Sequence, residues 1–504
     1  MKSINFGEGI EQIIREFELR NEWGRKVLEE SENLPGAPAP QEFRRREDLR
    51  PLSFVTIDGE KARDFDDAIY VKKLPGGGAS LWVSIADVSH YVSPGSHLDR
   101  EALLRANSVY FPDRVIPMLP ERLSNDLCSL VPGADRFTVT AELRFDETGE
   151  RQSCRFYRSV IRSAARMTYR EVKEALVDRH PEACRKYRPL LPFLEEAAGL
   201  AALLRTRRLA RGSLDLDLPE PDIVLDLEEG GIEAIVRAER YFSHRMIEEF
   251  MISANEAVAG FFAERKIPAL YRVHDVPPAE KIQALANFLH HRGIPSRLGR
   301  RVTPRELSGV LEKVERRPEQ KLIHILMLRS LGQAVYATRN IGHFGLASTC
   351  YTHFTSPIRR YPDLIVHRIL TRALEDPGKT GISPKELDSV ARRCSEVERI
   401  GMKSEWACRD LAGAFLLQKR IGEIFEGIIS GISKSGLFVE LVPLFVEGML
   451  PFRSLTDDYY LVRPDGAEAF GRKRKKKFRI GDPLRVRVGK VNLEKRWIDL
   501  ELAN

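Results

Sequence analysis

Cysteine is scarce in this sequence: six in 504 residues, at Cys128, Cys154, Cys184, Cys350, Cys394 and Cys408. No two form a C-x-x-C pair, which excludes a zinc ribbon and argues against a disulfide framework. The expected location is therefore a reducing cytoplasm. Long hydrophobic runs are missing too. No stretch approaches the ~20 apolar residues of a membrane span, so no membrane partner is expected. The opening segment from Met1 to Arg20 is charged throughout, unlike a secretory signal. Solenoid-type repeats are also absent, and the one low-complexity run is Arg472 to Lys477.

What is present is enough apolar material for a packed interior: 43% hydrophobic residues against 30% charged. The length exceeds what one core usually organises, so one large and one small domain are expected. Lys and Arg number 80 against 73 acidic residues, a formal charge of +7 that leans towards polyanionic partners. Helical spacing at Ile10, Ile13, Ile14 and Phe17 predicts a first helix within Gly9 to Glu32, ended by a linker from Pro35 to Pro40. Strands are predicted at Leu52 to Ile57, Ala68 to Val71 and Leu81 to Ile85. Helices are predicted over Met246 to Phe262, Lys281 to Arg292, Glu319 to Tyr336, Tyr361 to Glu375 and Pro384 to Gln418. From about Ile421 the texture changes to short alternating strands with glycine turns.

The most informative segment is the loop Asp58-Gly59-Glu60-Lys61-Ala62-Arg63-Asp64-Phe65-Asp66-Asp67, directly after a predicted strand. Four aspartates so close repel one another, and each unit of pKa shift costs about 1.4 kcal/mol. Such a cluster usually persists because a cation neutralises it, and carboxylate oxygens favour magnesium, manganese or calcium over zinc. An EF-hand is excluded, since no glycine sits sixth from Asp64 and no glutamate closes a twelve-residue loop. A solvated acidic turn and another kind of calcium loop stay open at this point. Divalent ions on such a cluster suit phosphodiester hydrolysis.

A basic counterpart lies in Tyr351-Thr352-His353-Phe354-Thr355-Ser356-Pro357-Ile358-Arg359-Arg360-Tyr361. Arg359 and Arg360 stand just before a predicted helix start, where guanidinium forks can take phosphate oxygens; a surface ion pair is the plainer reading. Tyr110 and Phe111 precede Pro112 in a loop-like stretch. Rings of this kind stack on bases at about 1–3 kcal/mol each, although such pairs are more often core.

Together these strings resemble the RNase II/RNase R superfamily of RNB-domain exoribonucleases, and its bacterial RNase R branch most. The resemblance is carried by Thr56 to Glu60, Arg63 to Ala68, Ile85 to Tyr91, Ile116 to Pro120 with Leu123 to Asn125, and Gly342 to Leu346 continuing into the Ser356 to Tyr361 loop. It extends from about Gly9 to Leu502. It implies an α+β fold: a lead-in at 1–50, an RNB catalytic domain at 51–420 with a mixed sheet surrounded by helices, and a small OB-fold barrel at 421–504. The implied activity is processive 3′→5′ hydrolysis of single-stranded RNA to nucleoside 5′-monophosphates with Mg2+, or Mn2+, by a monomer. By position, Asp58, Asp64, Asp66 and Asp67 match the metal-centre carboxylates, with Asp66 nearest the chemical step. Tyr110 matches the ring that stacks on the terminal base, Arg359 and Arg360 the phosphate contacts, and Glu405 an acidic residue that orients the last nucleotide. His353 is taken with the RNA contacts, whereas Asp87 and His90 read as structural hydrogen-bonding residues.

Two departures stand out. Relatives usually carry an aromatic where Leu216 follows the Arg211-Gly212 turn, so one face of the base clamp is apolar without being aromatic. Relatives also begin with RNA-binding domains, while only about fifty residues precede the acidic loop here.

The last segment resembles an OB barrel of the ribosomal S-one type, through Glu426 to Gly431, Ser435 to Leu441, Val446 to Leu450, Arg485 to Val488 and Trp497 to Leu500. Phe438, Lys434 and Arg453 are its candidate RNA contacts, and Ser435 stands where many copies carry an aromatic. The run Arg472 to Lys477, with Arg479, is expected in a barrel loop as an electrostatic funnel to RNA, against the plainer reading of a solvated charge run. A non-catalytic RNA-binding protein and a DNA nuclease are the competing functions.

Overall fold

The computed structural model describes residues 5–503 apart from 39, 217, 219–220, 227–230, 318, 377–380, 443, 464–465 and 467. Position 39 of the expected linker thus lies outside the described residues.

A seven-stranded mixed sheet organises the larger part of the chain. Its order is Glu47–Asp48, Arg151–Arg162, Asp135–Phe145, Gly77–Ala86, Asp67–Leu74, Val55–Asp58 and Ala165–Thr168. Only the two outermost pairings are parallel. The Asp135–Phe145 strand is buried almost continuously, as expected when both faces of a sheet are covered. Helices Leu191–Ala210, Phe242–Glu264 and Tyr361–Glu375 share the sheet's core cluster through Phe193, Phe250, Phe262, Leu364 and Ile369.

A second cluster is built from helices Ala279–His291, Pro304–Val314 and Gln320–Ser330. A third joins the C-terminal barrel to the helix Phe6–Glu16. The 35-residue helix Pro384–Gln418 connects these bodies. Pro384 at its first turn and the reciprocal capping of Ser383 with Glu386 set its start. Leu387, Val390 and Cys394 on its first half enter the sheet cluster, while Leu411, Ala414 and Leu417 on its last half enter the barrel cluster. At roughly 50 Å it spans the molecule as a spine.

The barrel is closed, in the order Ile424–Ser433, Gly436–Leu441, Val446–Pro451, Trp497–Leu502 and Pro483–Asn492. Together with the sheet and helices this makes the fold α+β, with an OB-like barrel at its C-terminal end.

Several predicted boundaries need correction. The first segment is two helices, Phe6–Glu16 and Arg25–Glu32, because Glu18 adopts φ 51° and breaks the run. The first of them packs on the spine: a Cβ at Gly9 would stand 2.6 Å from Leu411 Cδ2, so glycine lets the helices approach without displacing that side chain. The predicted helix Glu319 to Tyr336 ends at Ser330, because Val335–Ala337 pairs antiparallel with Tyr271–Val273. The basic run is not in a simple barrel loop. It lies on a separate three-stranded sheet, Tyr460–Val462, Glu468–Gly471 and Lys477–Arg479, inserted between two barrel strands.

Candidate active site

Asp58 closes the Val55–Asp58 strand and lies level with Thr168 on the neighbouring parallel strand; Asp67 opens the next strand. The loop between them is pinned from several directions. Phe65 N–H donates to Ser129 Oγ at 3.0 Å, Ser129 Oγ donates to Arg63 O at 2.7 Å, and Leu130 N–H donates to Phe65 O at 3.0 Å. Arg166 Nη2 donates to the carbonyls of Gly59 and Glu60. The loop is thus held by bonds to its backbone, which leave its carboxylate oxygens to other partners.

Asp66 is only 3% exposed. Its Oδ1 accepts from Ile358 N–H at 2.8 Å, while Oδ2 makes no hydrogen bond and faces Arg359 Nε at 3.5 Å. Asp58 Oδ2 is likewise buried without a hydrogen bond. Burial pushes the Asp66 carboxyl well above its ordinary range, with Arg359 opposing. Burial, then Asp67 and Asp64, lifts Asp58 to about 8. Asp67 rises to about 6 through burial, against Arg359 and Arg360. Among the described residues no three His, Cys, Asp or Glu side chains converge as a finished metal shell. The donor set still fits a hard divalent ion. It consists of carboxylates, and two of them carry orphaned buried oxygens whose charge burial disfavours.

The Ile358–Tyr361 segment brings the cations in. Ser108 N–H donates to Arg359 O, and Tyr361 N–H donates to Ala106 O, tying this segment to the chain before Tyr110. Arg359 Nη2 donates to Ser356 Oγ at 2.9 Å; Arg360 Nη2 donates to the fully buried Asp363 at 2.8 Å. Tyr110 is 41% exposed. Its hydroxyl donates to Asp64 Oδ2 at 3.2 Å, and its N–H donates to Glu405 Oε1, also at 3.2 Å. Burial, followed by Asp64, raises the Tyr110 phenol, which therefore stays protonated at neutral pH.

A cavity of about 240 Å³ opens here. Tyr110, Arg359, Arg360 and Glu405 all line it, so residues from three distant stretches of the sequence meet around one space beside the aspartates. Tyr336, Glu398 and Ser108 also line it and were not singled out from sequence. Tyr169 is a further residue of the site, since Asp67 and Asp58 both act on its phenol after burial. No motif marks these residues, because only the tertiary pairing of distant elements places them here.

Two candidates, His353 and Leu216, stand differently from expectation. His353 is half-buried with Nδ1 at 2.8 Å from Tyr336 Oη, and burial plus the Arg360 charge hold its pKa well below the ordinary range. It is neutral and offers a phosphate no cation; it orients Tyr336 instead. Leu216 does not line the cavity but packs against the Ile282–Phe344 cluster. Lys434, Phe438 and Arg453 lie on the barrel, where they were expected. Phe452 N–H donates to Ser435 O, which puts Lys434 and Arg453 at one end of the barrel, both exposed.

The RNB domain family matches residues 46–376, and the S1 RNA binding domain family matches residues 418–503. The chain belongs to the RNB-domain family of ribonucleases. Ribonuclease R of Thermotoga maritima is 42% identical over 488 residues, covering 96% of this chain and 68% of that protein. Ribonuclease R of Escherichia coli is 40% identical over 516 residues, covering 100% of this chain and 63% of that protein. A solved structure of Mycoplasma genitalium RNase R in complex with ribose methylated single-stranded RNA matches with a TM-score of 0.93 at 32% identity, over 99% of this chain and 78% of that one. As an RNB-domain protein the chain is a hydrolase, a 3′→5′ exoribonuclease acting on RNA. No helix among the described residues is long and apolar enough to cross a membrane.

Proposed function

We propose that this chain hydrolyses single-stranded RNA processively to nucleoside 5′-monophosphates, with Asp58, Asp64, Asp66 and Asp67 holding Mg2+ or Mn2+. The observation that carries it is the meeting of the orphaned oxygens of Asp58 and Asp66 with Arg359 beside a cavity lined by Tyr110 and Glu405. When bound, such ions activate a water and stabilise charge on the phosphate. Hydrolysis adds hydroxide to phosphorus, breaks the P–O3′ bond and delivers the proton to the departing 3′-oxygen.

The chain's own residues provide position and charge. Tyr110 presents a ring to the last base while its phenol, anchored on Asp64, fixes the ring's tilt. Glu405 holds the Tyr110 backbone and leaves a carboxylate oxygen for ribose hydroxyls. Arg359 faces the reacting phosphate and offsets the negative charge that grows on it. Arg360, held by Asp363, meets the next phosphate along. The division at about residues 50 and 420, a monomeric state and a cytoplasmic location belong to the same reading; all six cysteines are unpaired, as a reducing compartment requires.

Incubation with 5′-labelled RNA and matched DNA, in magnesium or in chelator, tests this. RNA is expected to shorten from its 3′ end only in magnesium, with DNA left largely intact. Labelled RNA that is bound but never shortened would favour a binding protein, and equal cutting of DNA would overturn the substrate.

Magnesium is also expected to raise Tm, since it binds the folded cluster. The sign of its pH dependence follows from the raised carboxyls. As pH falls through about 8 at Asp58 and about 6 at Asp67, protons displace the metal and the Tm gain shrinks. A gain that grew on acidification would refute metal binding by these aspartates.

A further inference from the structure

The inserted three-stranded sheet carries the basic run in a form that its sequence does not disclose. Of its seven cations, three are paired: Lys476 with Asp457 at 3.7 Å, Lys477 with Glu468 at 3.6 Å and Arg479 with Glu468 at 2.8 Å. Arg472, Lys473, Arg474 and Lys475 occupy the turn between the last two strands. They are exposed and close no ion pair among the described residues. Tyr459 stands beside them at 69% exposure, and its carbonyl accepts from Arg472 N–H at 2.9 Å.

The turn is held from inside by one carboxylate. Asp458 accepts from the backbone N–H groups of Tyr459 at 2.7 Å and of Lys473 at 2.9 and 3.0 Å, and from that of Arg474. Gly471 makes room for it, because a Cβ there would lie 2.5 Å from Asp458 Oδ2. An acidic residue thus spends its hydrogen-bonding capacity on backbone amides, which turns the cationic side chains outward. A solvated charge run has no need of such a clamp. Four unpaired cations on a fixed turn next to an exposed ring are what a single strand recognises, phosphates on the charges and a base on the ring.

We propose that this clamped turn grips the sugar–phosphate backbone of single-stranded RNA outside the barrel, and that Asp458 is the positioning residue that makes it do so. The inference rests on the reading of RNA as substrate. It makes an unusual demand: removing a negative charge from a nucleic-acid-binding surface should weaken binding.

The test compares Asp458→Ala with Asp458→Asn in the full chain, by fluorescence anisotropy of labelled RNA in chelator so that nothing is cut. Both remove the same charge, but asparagine keeps one of the two oxygens that accept from the turn. Asp458→Asn should lose less affinity than Asp458→Ala, which should weaken about 3–10-fold and show a shallower salt dependence. Replacing Arg472, Lys473, Arg474 and Lys475 by alanine should lower the slope of log K against log salt by up to about 3, at about 0.7 per cation. Gly471→Ala leaves every charge in place and displaces the carboxylate; it should weaken binding as Asp458→Ala does, and serves if Asp458→Ala fails to fold. Asp458→Ala binding as well as Asp458→Asn, or an unchanged slope in the quadruple variant, would overturn the proposal. Hydrolysis of an RNA of about five nucleotides, which leaves the turn few phosphates to hold beyond the active site, is followed in magnesium. It should be unaffected by these changes, and its absence in the parent would instead count against the exonuclease reading alone.

Discussion

Asp66→Asn is expected to lower the rate of RNA hydrolysis by about 10³-fold or more while leaving the protein folded and still bound to RNA. The reasoning starts from the two oxygens. Oδ1 accepts from Ile358 N–H, and asparagine can keep that bond, so the Ile358–Arg360 segment stays attached to the acidic loop. Oδ2 has no hydrogen-bond donor and faces Arg359. What the substitution removes is the charge that a metal or an approaching phosphate would meet. Because burial already disfavours that charge in the folded state, its loss should leave metal-free Tm at or above the parent value. RNA affinity in chelator should hold or rise, since one negative charge leaves the phosphate path. Single-turnover rates, Tm in chelator and anisotropy together check the set. A variant that cuts as fast as the parent, or one that is inactive only because it has unfolded, would remove Asp66 from the chemistry.

Much of this site was legible because its chemistry is written in contiguous strings. The four aspartates fall within one loop, and Arg359 and Arg360 within another, so a metal cluster and a phosphate contact could be argued before any fold was known. Helix limits at Tyr361–Glu375 and Pro384–Gln418 agree with expectation for a local reason: proline in the first turn and, at Ser383, a reciprocal cap. Where local signals compete with tertiary pairing, the reading fails. Val335 and Tyr336 continue the apolar spacing of the helix before them, yet they leave it to pair with Val273 and Arg272. Tyr336 thereby enters the cavity, and Glu398 is fixed there by paired bonds from Arg272 at 2.6 and 2.9 Å. Tyr169, first residue of the helix Tyr169–Leu176, reaches the aspartates only because the strand before it runs parallel to the one ending at Asp58. The role of His353 could not be read either, because its charge state depends on burial and on Arg360, which no spacing reveals.

Asp87→Ala should instead destabilise the enzyme strongly and leave the intrinsic rate of whatever remains folded unchanged. Asp87 and Arg46 form a pair at 2.7 Å whose side chains are 0% and 4% exposed. Ser89 also donates to Asp87, Arg158 Nε lies 3.7 Å away, and the Arg46 guanidinium sits 4.0 Å over the Phe137 ring. Removing the carboxylate leaves the buried guanidinium without its ion-pair partner, beside a long bond to Thr138 O at 3.4 Å. Breaking a buried pair from one side costs about 3–5 kcal/mol, which corresponds to a Tm lower by roughly 5–10 °C or more in a domain of this kind. The double variant Arg46→Met with Asp87→Leu should recover much of that loss, because the cost lies in the stranded charge and not in the missing bond. The pH dependence has a definite sign. Burial alone would raise the Asp87 carboxyl, but Arg46 and Arg158 hold it below its ordinary 3.8. Its contribution is therefore complete above that value and lost as pH falls beneath it, so the gap between parent and Asp87→Ala should close on acidification. Thermal melts across pH, paired with single-turnover rates on the folded fraction, separate the two kinds of aspartate. Asp66 should change rate at constant stability, and Asp87 stability at constant rate; the reverse at either position would contradict the placement of the acidic loop as the reacting centre and of the Arg46–Asp87 pair as its buried support.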